Sequence, residues 1–226
     1  MARTPADGSA MTAQGSTVPL DEPGGRDRDV NEFVEHLAFT AVLNDGTPVR
    51  VRPIAPKDRA RLAEGWKGLS ARSRYLRFMQ TKVALSEADL TYLTEIDYDN
   101  HFAWAAETLD APDPPGVGIA RYIRTEDDPS VAEAALAVID ERQRLGLGRI
   151  LLQALSDAAR DNGIERFRAY VALSNRQVLE SLTAIGATRS EAEDGMVRLE
   201  LPVPTAALDR STLYEALRTI AIEQSR

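Results

Sequence analysis

The residues best suited to chemistry lie between Ala132 and Leu152, in the run AEAALAVIDERQRLGLGRILL. Ala134 to Ile139 is a short apolar run without helix caps, which predicts a strand. A loop holding Gln143, Arg144, Gly146 and Gly148 follows, then a helix with Leu151, Ala154, Leu155 and Ala158 on one apolar face. A glycine loop that opens a helix suits an anion, because unpaired backbone N–H groups and the positive end of the helix dipole converge there. Arg144 and Arg149 add positive charge. Phosphate or pyrophosphate is the matching ligand chemistry, although a glycine pair by itself also makes an ordinary tight turn. The spacing is not the GxxxxGK-Ser/Thr of a Walker A loop, and Leu151 stands where a dinucleotide fingerprint needs its third glycine.

Other chemical candidates are sparse. The chain has no cysteine, which excludes disulfides, cysteine-ligated zinc and a thiol nucleophile. Its two histidines, His36 and His101, are far apart and form no metal-spaced pair, so no metal is expected. A polar cluster of Asp97, Tyr98, Asn100 and His101 precedes an expected strand. It suits either the lining of an acceptor site or a surface turn.

The elements that must position these residues follow from the pattern around them. Residues 1–30 are rich in Gly, Pro, Ser, Thr and Asp and are expected to be a disordered tail. Phe33, Val34, Leu37 and Phe39 suggest an ordered lead-in, and Asn44-Asp45-Gly46 a turn. Val49 to Arg52 alternates as a strand does and stops at Pro53. Three short helices are expected next: one from Pro56 with Leu62, Ala63 and Trp66 on one face, one over Ser70–Phe78, and one capped by Ser86 and Asp89. Strands are expected over Phe102–Ala106, Val117–Ile123, Phe167–Leu173 and Met196–Leu201, with a further one near Ala187–Ser190. Helices are expected from the glycine loop to Asn162-Gly163 and from Asn175 to Ile185. The order β-ααα-βββ-α-β-α-β is that of a mixed α/β layer fold. Leu213, Leu217 and Ile220 place an amphipathic helix in 204–226, docked on its own domain or on a partner.

Composition narrows the function classes. The chain of 226 residues is 43% hydrophobic, enough for one packed domain with tails. Its net charge of −8 argues against nucleic acid as the main partner, since phosphate backbones are bound through clustered Lys and Arg. No apolar run approaches the ~20 residues of a membrane span. The first residues have no apolar core of a secretory signal. A soluble cytoplasmic protein, monomer or homodimer, is expected.

The loop Gln143-Arg144-Leu145-Gly146-Leu147-Gly148 resembles the acyl-CoA pyrophosphate loop, Gln-x-x-Gly-x-Gly, of the GNAT acyltransferase superfamily. The element order is similar over Thr47–Pro202. Val138 lies five residues before Gln143, where that family places a strand residue whose backbone faces the pantetheine. Asn175 opens a helix that closes at Ile185-Gly186-Ala187, with Ala187 where the family usually has an aromatic residue. Leu69–Phe78, Leu85-Ser86 and Leu93–Asp97 resemble the acetyltransferase domain of bacterial and mycobacterial protein-lysine acetyltransferases.

The resemblance implies a GNAT-type α/β (α+β) fold over 31–203: a mixed, mostly antiparallel central sheet flanked by helices and splayed at the acyl-CoA site. It implies acetyl-CoA as co-substrate. The strand edge at Leu136 and Val138, the loop residues Gln143, Arg144, Leu145, Gly146, Leu147, Gly148 and Arg149, and Asn175 would hold it. The Val138 N–H would donate to the oxyanion. Glu133, in the Ala132-Glu133 pair ten residues before Gln143, would be the general base, a role that burial of its carboxylate favours. Period two along the strand puts Glu133 with Ala135 and Ala137, opposite Leu136 and Val138. Leu182 occupies the position where many members carry a tyrosine that protonates the departing thiolate. Leu145 stands where the family often has a basic residue. The implied acceptor is a protein lysine amine or a small-molecule amine. A non-catalytic acyl-CoA sensor is the alternative.

Overall fold

The computed structural model describes residues 30, 34–35, 37–78, 84–110 and 116–203. Nearly all of the expected N-terminal tail (1–29) and the expected helix in 204–226 lie outside the described residues, as does Phe33.

Residues of alternating burial pair into one eight-stranded sheet. Its strands are β1 (Phe39–Val42), β2 (Pro48–Pro53), β3 (His101–Thr108), β4 (Gly116–Arg124), β5 (Val131–Val138), β6 (Arg166–Ala172), β7 (Thr188–Glu193) and β8 (Met196–Pro202). Their spatial order is β1-β2-β3-β4-β5-β6-β8-β7. Every neighbouring pair is antiparallel except β5–β6, which is parallel. The helices are α1 (Arg59–Lys67), α2 (Ala71–Phe78), α3 (Glu87–Thr94), α4 (Leu147–Asp161) and α5 (Arg176–Ala184). Pro56–Asp58 and Asp140–Arg142 form single 3₁₀ turns. This is the expected mixed, mostly antiparallel sheet flanked by helices. No helix among the described residues is long and apolar enough to cross a membrane.

The core lies between the sheet and α4. Leu147, Leu151, Ala154, Leu155, Ala158 and Ala159 form the buried stripe of that helix and pack with Phe102, Trp104, Ala120, Tyr122, Ala132 and Phe167 from the strands. Asn162 ends the helix, and Gly163 follows in the left-handed region at φ 73°. The Asn162 side-chain amide also donates to the Tyr98 carbonyl and the Tyr122 hydroxyl, tying the helix end to β4 and the turn before β3. α3 begins as the sequence predicts: the Ser86 hydroxyl accepts from the Asp89 N–H, and the Asp89 carboxylate accepts from the Ser86 N–H.

Three local differences from the sequence reading have physical causes. Phe39–Val42 is a strand rather than an unspecified lead-in, because the 44–46 turn folds it back on β2. As an edge strand it has little apolar alternation, and Val42 is exposed. β5 begins at Val131, three residues before the apolar run, and those three residues are the ones that pair with β6. Arg52, in the Val49–Arg52 alternation to which the sequence reading assigns only a strand, is buried: its guanidinium makes two bonds to the buried Asp58 carboxylate, at 2.7 and 2.6 Å. The strand expected near Ala187–Ser190 is present as β7.

α1 approaches β4 closely. A Cβ on Gly65 would lie 2.8 Å from the Gly116 carbonyl oxygen, a backbone atom that cannot swing aside. Alanine gains about 1 kcal/mol over glycine in a helix interior, but overpacking costs about 1–3 kcal/mol. Gly65→Ala is therefore expected to lower the urea midpoint. A raised midpoint would contradict the close approach.

Candidate active site

β5 is hydrogen-bonded along its whole length to β4 but pairs with β6 at only three positions, Val131 with Arg166, Ala132 with Phe167 and Glu133 with Arg168. From Ala134 onward the two strands diverge. The Ile139 N–H donates to Val117 of the β4 side at 3.0 Å. Backbone polar groups of successive strand residues point to opposite sides. The N–H groups of Leu136 and Val138 therefore point into the divergence, where a ligand can take the place of a strand. Because β5 and β6 are parallel, their C-terminal ends share one end of the sheet, and Asn175, just beyond β6, lies on the opposite lip. Leu136, Tyr170, Leu173 and Val178, on β5, on β6, after β6 and in the first turn of α5, are among the large side chains left exposed.

The glycine loop closes this end. Gly146 is the N-cap of α4 at φ 90°, a backbone that favours glycine, and Arg144 also lies in the left-handed region at φ 63°. No side chain caps α4, so among the described residues the first N–H groups of the helix, on Leu147 and Gly148, meet no capping acceptor. A Cβ on Gly148 would meet only Leu136, at 3.6 Å. An uncapped N-terminus with a side-chain-free approach fits a pyrophosphate. Arg144 is exposed at the loop and Arg149 is half-buried.

The structure refines how each loop residue can act. Leu147 is buried in the core and Leu145 packs against it, so both can serve a ligand only through the backbone. The Leu145 carbonyl is already taken by the Asn44 N–H, at 3.0 Å. Gln143 does not reach outward: its side-chain amide donates to the Val138 carbonyl at 3.1 Å and to Asp140 at 3.3 Å. It pins the loop to the end of β5. Asn175 caps its own helix, accepting from the Val178 N–H at 3.5 Å.

Glu133 lies on the opposite face of β5 from α4, in register with Ile123 and Arg168. It is exposed and makes no side-chain hydrogen bond or ion pair among the described residues, so the burial expected for a general base is not present around it. Along the same face come Ala135 and Ala137. Under α1 this face holds a cavity of about 90 Å³, lined by Trp66, Ile119, Ala137 and Ile139 together with the charged Arg52, Asp58, Arg61, Glu107 and Arg121. Burial opposes the charge of Arg52, but the bonds to Asp58 prevail and raise its pKa, so it stays a cation. Glu107 bonds to Arg50 at 3.4 Å and to Arg61 at 2.9 Å. Sequence patterning missed this buried charge cluster, because its partners come from β2, β3, α1 and the preceding 3₁₀ turn.

The model of the acetyltransferase (GNAT) family matches residues 72–184. The chain belongs to the GNAT acetyltransferase family. It is 32% identical over 190 residues to acetyltransferase Pat of Mycolicibacterium smegmatis, a match covering 82% of this chain and 56% of that protein. The chain thus spans little more than half the length of that relative. It is 32% identical over 153 residues to acetyltransferase PA5475 of Pseudomonas aeruginosa, covering 68% of this chain and 82% of that one. Among solved structures it resembles the GNAT domain of S. lividans PAT, with 31% identity and a TM-score of 0.67 over 74% of this chain and 97% of that one.

Within this GNAT domain, the position at which many members carry a tyrosine is filled by Leu182, which packs against the cluster of Val171, Leu179, Ala187, Val197 and Leu199 between α5 and the sheet. Its neighbour Ser181 bonds back to the Gln177 carbonyl at 2.7 Å. Neither is aimed at the divergence as a ready acid.

The polar cluster before β3 is a structural turn. The Asp97 carboxylate accepts from the N–H groups of Asp99 and His101 and from the Asn100 amide. The Tyr98 hydroxyl donates to the Ile54 carbonyl at 2.7 Å, and burial pushes its pKa up to about 12. His101 Nε2 lies 2.8 Å from an Arg121 guanidinium nitrogen. Arginine only donates, so Nε2 accepts and the ring is neutral. His101 and Glu133 are two strands apart on one face, about 10 Å, too far for a direct bond. Burial, with the Arg121 charge beside it, pushes the His101 pKa down to about 4, against about 6.5 in an unfolded chain. A histidine depressed in this way gives its full stability above the unfolded value and loses it as pH falls from about 6.5 to 4. His101→Gln is expected to flatten the fall of Tm with acid across that window. An unchanged slope would contradict a half-buried, neutral His101.

Proposed function

We propose that this domain transfers the acetyl group of acetyl-CoA to a lysine side-chain amine of a protein, with Glu133 as general base. The observation that carries the reading is the divergence of β5 from β6 beside an uncapped helix start. It offers backbone N–H groups for an extended amide-bearing arm and an anion cradle at the end of that arm. The Leu136 and Val138 backbone would pair with the pantetheine amides, and the N–H groups at Gly146–Gly148 would hold the pyrophosphate with Arg144 and Arg149 nearby. The thioester supplies the activated acyl carbon. The Val138 N–H would donate to the oxygen that gains charge, a contribution of about 3–4 kcal/mol where such donors have been removed.

Glu133 and Val138 are five residues apart, about 17 Å along an extended strand. A glutamate side chain does not span that distance, so the amine proton would pass to Glu133 through water along the Ala135–Ala137 strip. A lysine amine is mostly protonated near neutrality, with an ordinary pKa of about 10.4, so some proton acceptor is required. The thiolate can leave without an acid, since a thiol has an ordinary pKa of about 8.5. That accommodates Leu182. The similarity to proteins named Pat supports a protein acceptor. The cavity reaching Ala137 favours a second reading, in which the acceptor is a small amine.

Incubation of labelled acetyl-CoA with cell lysate, with and without the protein, tests the reading. Label is expected in discrete protein bands. Glu133→Gln should cut transfer by about 10²–10⁴-fold and leave the CoA dissociation constant within twofold. Full turnover by that variant would refute the base assignment, and label confined to small molecules would favour the second acceptor.

A further inference from the structure

We propose that the turn between β1 and β2 is a positioning device for the cofactor loop, acting through the Asn44 N–H on the Leu145–Gly146 peptide. The inference rests on the reading of Gly146–Gly148 as the pyrophosphate cradle and adds the element that sets its geometry.

The Asn44 N–H donates to the Leu145 carbonyl at 3.0 Å. In a trans peptide the carbonyl and the following N–H point in opposite directions. Holding the Leu145 oxygen against the turn therefore directs the Gly146 N–H away from it, toward the loop interior. Glycine tolerates many backbone conformations, and rotation of this one peptide would place a carbonyl dipole where an anion should bind. The Asn44 side chain closes the space behind: its amide atoms lie 3.4–3.6 Å from where a Cβ on Gly146 would stand.

A second link holds the same two segments together. Arg142, in the 3₁₀ turn just before the loop, donates to the Thr47 hydroxyl at 3.4 Å and lies 3.7 Å from the Asp45 carboxylate. Its other terminal nitrogen lies 3.7 Å from Asp110, after β3. The turn thus contacts the loop at Leu145 and Gly146 and the segment before it at Arg142. Asn44-Asp45-Gly46 is legible in the sequence as a turn; it joins β1 to β2 and also lies against the loop at Leu145 and Gly146.

The geometry of the turn permits a clean test. The Gly46 N–H bonds to the Leu43 carbonyl at 3.0 Å, so Asn44 is the second residue of a four-residue turn. Proline is favoured at that position, and it carries no N–H. Asn44→Pro keeps the turn but removes the N–H and sets its Cδ against the Leu145 oxygen, so it displaces that carbonyl, whereas Asn44→Ala keeps the N–H and its bond. Affinities for CoA and for pantetheine, which lacks the pyrophosphate, are measured by calorimetry and competition, with Tm as the control for folding. A freed Leu145–Gly146 peptide must be reoriented when the anion binds, at a cost of about one hydrogen bond, so CoA binding is expected about fivefold weaker in Asn44→Pro and in Arg142→Ala. Tm should fall by no more than about 2–4 °C, pantetheine binding should stay near wild type, and Asn44→Ala should bind CoA more tightly than Asn44→Pro. Equal losses for CoA and pantetheine, or CoA binding by Asn44→Pro equal to wild type, would overturn the proposal while leaving the cofactor site intact. Wild-type protein that binds pantetheine as tightly as CoA would overturn the pyrophosphate cradle itself.

Discussion

The rest of the site depends on a strand that loses its neighbour. Backbone N–H and C=O groups seek partners wherever they leave water, and β5 has them on the β4 side throughout but on the β6 side only to Glu133. The remaining edge, from Ala134 to Val138, has no strand paired beside it, and the proposed acyl-CoA arm would lie along it. Everything near it maintains that opening. Gln143 turns back to the Val138 carbonyl, so the loop begins at the strand's end and Val138 is fixed beside the helix start. Asn162 ties the far end of α4 to Tyr98 and Tyr122, and the helix packs its whole apolar stripe on β3, β4 and β5.

The two faces of β5 divide the labour. Toward α4 the sheet is an apolar core that holds the anion cradle in register with the strand edge. Toward α1 and α3 the face carries charge: Glu133 near its exposed start, and Arg52, Asp58, Arg61, Glu107 and Arg121 about the cavity. Arg52 and Asp58 are a buried ion pair, while the Arg121 guanidinium donates to the neutral His101 ring and the Leu93 carbonyl. Bidentate bonding of Arg52 to Asp58 offsets the desolvation that would otherwise expel both from the interior. The arrangement fixes the 3₁₀ turn before α1 against β2 and so sets the height of α1 over this face of the sheet.

Much of this was legible in the residues. Gly146 and Gly148 before an amphipathic helix announce the loop and the helix start, because backbone conformation and helix periodicity are local properties. Asn162-Gly163, Ser86 with Asp89, and Asn175 likewise mark helix ends by chemistry confined to a few residues. What escaped depends on partners distant in sequence. The divergence itself is a relation between β5 and β6, some 30 residues apart, and only the resemblance to a known fold implied it. The burial of Arg52 needs Asp58, six residues on in the turn before α1, to pair with it. Gln143 reads as a ligand contact until its amide is seen to bond to the strand before it. Glu133 is a candidate base from the resemblance alone, and among the described residues its side chain is exposed.

On the proposed reading, the open edge of β5 and the start of α4 form one continuous binding site for acetyl-CoA. Residue-resolved hydrogen exchange of the backbone amides, with and without acetyl-CoA, tests it. Slower exchange is expected at Leu136, Val138 and Gly146–Gly148 together, with β1 and β7 unaffected. Protection confined to the α1 cavity, or no protection along β5, would contradict it.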